Sequence, residues 1–440
     1  SMAGSGSQVF ISLAVVLANS CQFVFAERAS STEQRISQDS GVFRRGGYQW
    51  SIEVEDAHED GNIFPTLQQM QNGVFEVLQY GESDTGVEDK SNLLSAHEAG
   101  MYVTGGTFDL FPDDVALFTT KPYNPARSGS GSNQHGNMMV GDIKALYLKG
   151  SKMGKVEVLH TSRGLPNGGV LDRDGFPLFC IQGAEDHVIE PWAGIYKLVK
   201  NGSGKEFQLQ PEVNYWRASK HTNKKKAQHF NSPNDVVVHS DGTIWFTDPI
   251  YGAKQQIRPE NLLGNWVWRY DPKTQLVRVV ADGFERPNGL VFSPDFKTLY
   301  VSDTGWETGS PTEGQVYINP RTIYAFDVCQ EGCPSGAYLT NRRLIYASDD
   351  GIPDGLKIDT EGNIYSGNGD GVHVVDKLGN LKGKIKCAKN CEGEDGCRPC
   401  EGVANLFFGK GINEKKLYML AEGEIVSVML NIQGCAACGR

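Results

Sequence analysis

The sequence predicts an all-β fold, a six-bladed β-propeller, and three observations carry that prediction. Fifty-two glycines in 440 residues, with aromatic residues at 10%, fit many short strands joined by tight turns, because glycine reaches the positive-φ conformations such turns need. A two-strand unit headed by proline recurs as PNGGVLDRDGFPLFCIQG from Pro166, PNDVVVHSDGTIWFTD from Pro233, PNGLVFSPDFKTLYVSD from Pro287 and PDGLKIDTEGNIYSG from Pro353. These starts lie 67, 54 and 66 residues apart, long enough for a four-stranded blade with insertions.

Copies at the two ends bring the count to six. HEAGMYVTGGTFDLFPDDVALFTT, from His97, keeps the two-strand rhythm with Glu98 where the others carry Asn or Asp, and GVANLFFGKGINEKKLYML, from Gly402, keeps it with Ala404 there. Residues 73–440 are then the propeller, with a Cys-rich insertion at about 387–400. GVFEVLQYG, Gly73 to Gly81, alternates as a strand that completes the last blade and hides its edge. Residues 27–72 read as an N-terminal extension, and the acidic run EVEDAHEDG within it as solvated surface.

Charge and cysteine content bound the setting. A net charge of −11 without a basic block excludes nucleic acid as a partner, since phosphate binding needs clustered Lys and Arg, and Lys224–Lys226 reads as a solvated loop. Residues 1–26 are expected to be a secretory signal, with the apolar stretch Val9 to Ala26 at its heart. Asn19, Ser20 and Gln22 interrupt that stretch and speak against a membrane anchor. Of ten cysteines, Cys387, Cys391, Cys397, Cys400, Cys435 and Cys438 crowd the last 54 residues, and Cys329 and Cys333 form a close pair upstream. A disulfide-stapled region in a secreted protein is the favoured reading. Zinc on the C-x-x-C spacings at 397/400 and 435/438 is the alternative. Cys21 would leave with the signal and Cys180 would be a buried strand thiol, while the sequon Asn201-Gly-Ser203 points to a glycoprotein.

In a propeller the innermost strand of each blade starts beside the central channel, so the residue at the start of each repeat faces one axis. In order these are Glu98, Asn167, Asn234, Asn288, Asp354 and Ala404. Two carboxylates and several amide oxygens converging on one point make a site for a hard cation, Ca2+ first, with Mg2+ or Mn2+ as the other options. Asn and Asp also cap turns ahead of strands. Five copies in register favour convergence over capping.

FNSPNDV, RPNGLVFSPDFKTLYVSDTG, IPDGLKIDTEGNIYSGNGDGVHVVD and HEAG are similar to sequences of the gluconolactonase and senescence-marker-protein superfamily of six-bladed propellers, nearest to its extracellular lactonohydrolases. The resemblance spans about residues 73 to 430 and is strongest over 229–376. It implies a calcium-dependent hydrolase of aldonolactones or pantolactone-like rings. It further implies that Glu98, Asn234, Asn288 and Asp354 hold the metal and that Asn167 touches the substrate or supports the site. An insertion after Glu98 leaves Gly105 and Gly106 as another register for the first blade.

The expected chemistry is attack of water on a metal-polarised lactone carbonyl. Asp354 is the first choice for the base that activates the water, with His97 and Asp303 as further candidates. His229 and Tyr251 are expected to bind substrate, and Trp306 to line the mouth, with His373 a weaker candidate for a role in the reaction. Two alternatives stand beside this reading: a phosphotriesterase-like hydrolase using Asp354 on the same metal cage, and a non-enzymatic ligand-binding propeller with the metal as a pin.

Overall fold

The computed structural model describes residues 35–36, 43–45, 48–54, 63–65, 75–80, 95–107, 110–123, 139–184, 191–216, 228–258, 263–329, 333, 338–389, 398–400 and 402–438. The expected signal at 1–26, Cys21, Lys224–Lys226, Cys391 and Cys397 lie outside the described residues. Among the described residues no helix is long and apolar enough to cross a membrane.

Six antiparallel sheets follow one another along the chain. Blade I holds Ala96–Val103, Val115–Thr120, Gly141–Tyr147 and Val156–Ser162, and blade II holds Pro166–Leu171, Pro177–Ile181, Gly194–Lys200 and Phe207–Val213. Blade III consists of Val236–Val238, Ile244–Asp248, Trp266–Asp271 and Leu276–Ala281, and blade IV of Pro287–Phe292, Thr298–Asp303, Thr322–Cys329 and Tyr338–Ala347. Blade V runs through Leu356–Ile358, Ile364–Asn368, Gly371–Val375 and Leu381–Lys389. Blade VI takes Asn405–Phe408, Lys416–Ala421 and Glu424–Met429 from the C-terminal part and Phe75–Tyr80 as its outer strand. The expected closure by Gly73 to Gly81 is therefore present, and it pairs the edge that Glu424–Met429 would otherwise expose.

The ring is stitched at every junction by one kind of contact close to the axis. Thr119 Oγ1 donates to Asn167 O at 3.1 Å, Gly168 N to Asn234 O at 2.7 Å, Thr247 Oγ1 to Asn288 O at 2.7 Å, and Ser302 Oγ to Asp354 O at 2.9 Å. Gly355 N donates to Ala404 O at 2.9 Å, and Ala96 N to Glu422 O at 2.8 Å closes the circle. Between neighbouring blades lie separate apolar clusters, each drawn from facing strands, such as Val170, Phe230, Val236 and Trp268 between blades II and III.

Blade V is wider than the repeats foretell. Tyr48–Val54 pairs with Leu381–Lys389, Phe43–Arg45 pairs with it in turn, and Arg35–Ile36 follows. Trp50 on this addition is fully buried beside Tyr365, Val374 and Ile385, and its Nε1 donates to Glu424 Oε2 of blade VI at 3.2 Å. Cysteines are paired as Cys329–Cys333, Cys387–Cys400 and Cys435–Cys438, whereas Cys180 is a buried free thiol. Cys400 thus pairs with Cys387 and does not serve a C-x-x-C metal knuckle.

Candidate active site

The proline that heads each repeat has a local reason. In blade III the Asp248 carboxylate accepts the N–H groups of Asn231 and Ser232 at 2.9 and 2.8 Å, and in blade IV Asp303 accepts those of Glu285 and Arg286 at 3.0 and 2.9 Å. These two donors are followed by Pro233 and Pro287, which have no N–H to satisfy before the strand ladder begins. The clamp fixes the segment that delivers Asn234 and Asn288 to the axis. The glycine after Asn or Asp has its own reason: a Cβ on Gly355 would stand 2.5 Å from the Asn405 side chain, and one on Gly168 would run into Asp235. Blade starts approach that closely only without a side chain.

Four oxygens at these starts are buried without a hydrogen-bond partner: Asn167 Oδ1, Asn234 Oδ1, Asn288 Oδ1 and Asp354 Oδ1, one from each of blades II to V. Four orphaned acceptors in equivalent positions of consecutive blades are not four accidents, since an unpaired buried oxygen costs about 1–3 kcal/mol. Glu98 completes the set from blade I. It is 2% exposed and sits at a break in strand register that turns its carboxylate inward, followed by Ala99 at φ 59°. Gly105 and Gly106, the other register, lie in the turn beyond that strand.

The hub's charges feel one another. Burial raises Glu98 well above the ordinary carboxylate range, and repulsion from Asp354 and Asp235 adds to it, while Asn405 and Lys357 pull the other way. Burial pushes Asp354 up to about 7; His97 opposes the rise, and Asp235 and Glu422 reinforce it. Carboxylates held at such a cost, ringed by bare amide oxygens, fit a hard divalent cation. Among the described residues no group of three or more His, Cys, Asp and Glu stands within reach of one ion. The fit therefore rests on amide oxygens with carboxylates, an unfavourable set for zinc.

Of the other expected residues, His97 lies closest to the hub's chemistry. Its Nδ1 meets Glu422 Oε1 at 2.7 Å, and Lys121 Nζ meets the same oxygen at 3.1 Å. Glu422 itself is held at φ 58°. Tyr251 is buried with its Oη sharing a hydrogen bond with Thr304 Oγ1 at 2.5 Å, and Asp354 is among the charges acting on it. Asp303 stands apart, with both oxygens engaged by backbone N–H groups. His229 Nδ1 meets Asn214 O at 3.1 Å and its ring lies 4.6 Å from Trp192. Trp306 packs edge-on against Tyr317, and His373 is buried between Tyr346 and Asp370. Sequence reasoning gave no role to Asp235, Lys357, Asn405 or Glu422. Asn405 follows the alanine of the sixth repeat start, and its Nδ2 donates to Glu98 Oε2 at 2.6 Å.

Comparison with known proteins agrees with this architecture. The SMP-30/Gluconolactonase/LRE-like region matches residues 202–394. Lactonohydrolase oryH of Aspergillus oryzae is 36% identical over 39% of this chain and 35% of its own length, and lactonohydrolase oryL of the same species is 33% identical over 48% and 46%. The chain spans less than half the length of either curated relative. A solved structure provisionally described as a gluconolactonase superposes with a TM-score of 0.57 at 20% identity, covering 87% of this chain and 99% of that one, which bears on the fold alone.

Proposed function

Through residues 202–394 the chain belongs to the SMP-30/gluconolactonase/LRE family, and from that premise we propose that it is a lactone hydrolase built around a hard divalent cation, calcium first. The observation that carries the proposal is the row of orphaned oxygens on Asn167, Asn234, Asn288 and Asp354, facing the same hub as Glu98. Glu98, Asn234, Asn288 and Asp354 would hold the ion, and Asn167 would either join them or orient the substrate. Bound there, the cation would supply the positive charge that draws the lactone carbonyl oxygen and steadies the charge it gains under attack.

The protein's own part is to place a base. His97, with Nδ1 engaged by Glu422, keeps Nε2 as the ring's remaining lone pair, and that nitrogen takes the proton from the attacking water. Glu422 steadies the imidazolium that results, as an orienting carboxylate does in other His-dependent hydrolases. Asp354, the first choice on sequence grounds, serves better as a ligand, and Asp303 as the clamp of blade IV. Tyr251, anchored by Thr304 and sensing Asp354, forms part of the wall beside the substrate. The disulfides Cys329–Cys333, Cys387–Cys400 and Cys435–Cys438 support an oxidising compartment as the place of work.

The test is elemental analysis of the purified protein, with hydrolysis of δ-gluconolactone, pantolactone and paraoxon followed before and after chelation. Lactone turnover that vanishes with EDTA and returns with calcium is expected. Turnover of paraoxon alone would move the protein to phosphotriester chemistry, and a calcium-loaded protein with no turnover on the panel would favour a binding propeller. With calcium kept bound, His97→Gln should lower kcat by at least about 100-fold, the usual range for a lost general base.

A further inference from the structure

The third residue after each hub position packs toward the following blade, and in five blades it is buried and apolar: Met101, Val170, Val237, Val291 and Phe407. Blade V breaks the rule with Lys357. Lys357 is half-buried beside these aliphatic and aromatic side chains, with its polar end turned to oxygen partners. Its Nζ donates to Asn405 Oδ1 at 3.3 Å and to Leu356 O at 3.1 Å, and Asn405 in turn donates to Glu98 Oε2 at 2.6 Å. The ammonium is therefore one side chain removed from the hub carboxylate of blade I.

Charge balance gives it a purpose. With a cation bound, Glu98 and Asp354 would be ionised and, with Asp235, would bring three negative charges to the hub; Asp235, 1% exposed, lies against the blade start of Asn167 with its oxygens accepting from Val236 N and Leu290 N. Glu422 stands outside this set, paired with His97 at 2.7 Å and Lys121 at 3.1 Å. Lys357 cancels one of the three, leaving the two that a divalent ion neutralises.

We propose that Lys357 is the fixed counter-charge that sets this hub's preference for divalent over trivalent cations. The inference rests on the cation reading given above and adds to it a residue that is not a ligand. Without Lys357 the hub carries three uncompensated charges and should suit a trivalent ion of similar size and the same liking for oxygen.

The experiment is calorimetric titration of the metal-free protein with Ca2+ and with Tb3+ at one pH and ionic strength, for the natural chain and for Lys357→Met, Lys357→Gln and Lys357→Arg. The ratio of terbium to calcium affinity should rise at least about 10-fold in the Met and Gln variants, since one unit charge acts more strongly on a trivalent than on a divalent ion at low dielectric. It should stay within about threefold of the natural chain in the Arg variant, which keeps the charge. Gln keeps a hydrogen-bonding end for Asn405, so it answers the question where Met does not fold. If the natural chain binds calcium and the ratio is the same in all four proteins, Lys357 has no such role and the cation reading stands. If the natural chain binds neither ion, both fall together.

Discussion

Asn405 and Glu98 form one contact across 307 residues of sequence, and it shows where reading by repeats stops. The sixth repeat carries Ala404 at the hub position, so the count of ligands ends at five. The structure fills the gap from the next residue, whose amide leans over Gly355 and reaches Glu98 from the side. Asp235 is offset in the same way, directly after Asn234. The five polar first positions were legible because each recurs in register; the offset pair was not, because two blades use it and four do not. Losing a hydrogen bond to a charged group costs about 1.5–3 kcal/mol, so Asn405→Leu should weaken calcium binding by about 10- to 100-fold. Titration calorimetry on a variant of unchanged circular dichroism measures this, and an unaltered affinity would show that Glu98 needs no such support.

At the scale of the element, the glycine after the hub residue was readable as a turn former, yet its native task is to let two blade starts touch. Gly355→Ala would place a methyl group 2.5 Å from the Asn405 amide, and overpacking of this kind costs about 1–3 kcal/mol. Urea unfolding should report that loss, together with weaker metal binding, because Asn405 has to move. The junction of blades IV and V holds a second device that no spacing revealed. Tyr346 Oη meets His373 Nδ1 at 2.8 Å, His373 Nε2 meets Asp370 Oδ1 at 2.6 Å, and Lys384 reaches Asp370 at 3.3 Å and Asp349 at 2.8 Å. Burial alone would raise Asp370, but His373 and Lys384 outweigh it and hold the carboxyl below its ordinary value. A native carboxylate that titrates below its unfolded value of about 3.9 adds stability that is complete above that pH and is lost as the pH falls through the lower native value. Thermal unfolding followed from pH 6 to pH 2.5 should therefore drop less steeply for Asp370→Asn than for the natural chain. Parallel curves would assign acid lability to other groups.

On the scale of the whole molecule, fold class and ring closure were both legible, since one repeating unit fixes a blade and Gly73 to Gly81 alternates like a strand. The widening of blade V was not. Its added strands, Arg35–Ile36, Phe43–Arg45 and Tyr48–Val54, repeat nothing else in the chain, and Trp50 gave no sign that it fills the space beside Tyr365 and Ile385. The two N-terminal contributions should fail differently. Trp50→Ala removes a fully buried indole and should lower the free energy of unfolding by about 3–5 kcal/mol while the ring stays closed. Deleting residues 1–81 removes the same strands and also the partner of Glu424–Met429, whose backbone then lies along an open edge. That truncated protein should associate in a concentration-dependent way, visible by light scattering, and the nonapeptide GVFEVLQYG added in excess should suppress the association by taking the vacant place. Deletion of residues 1–72 alone keeps that edge covered but bares Leu381–Lys389 in blade V, so the nonapeptide should not suppress any association it shows. Association of the 1–81 deletion that the nonapeptide leaves unchanged would mean that the strand at 75–80 does not close the ring.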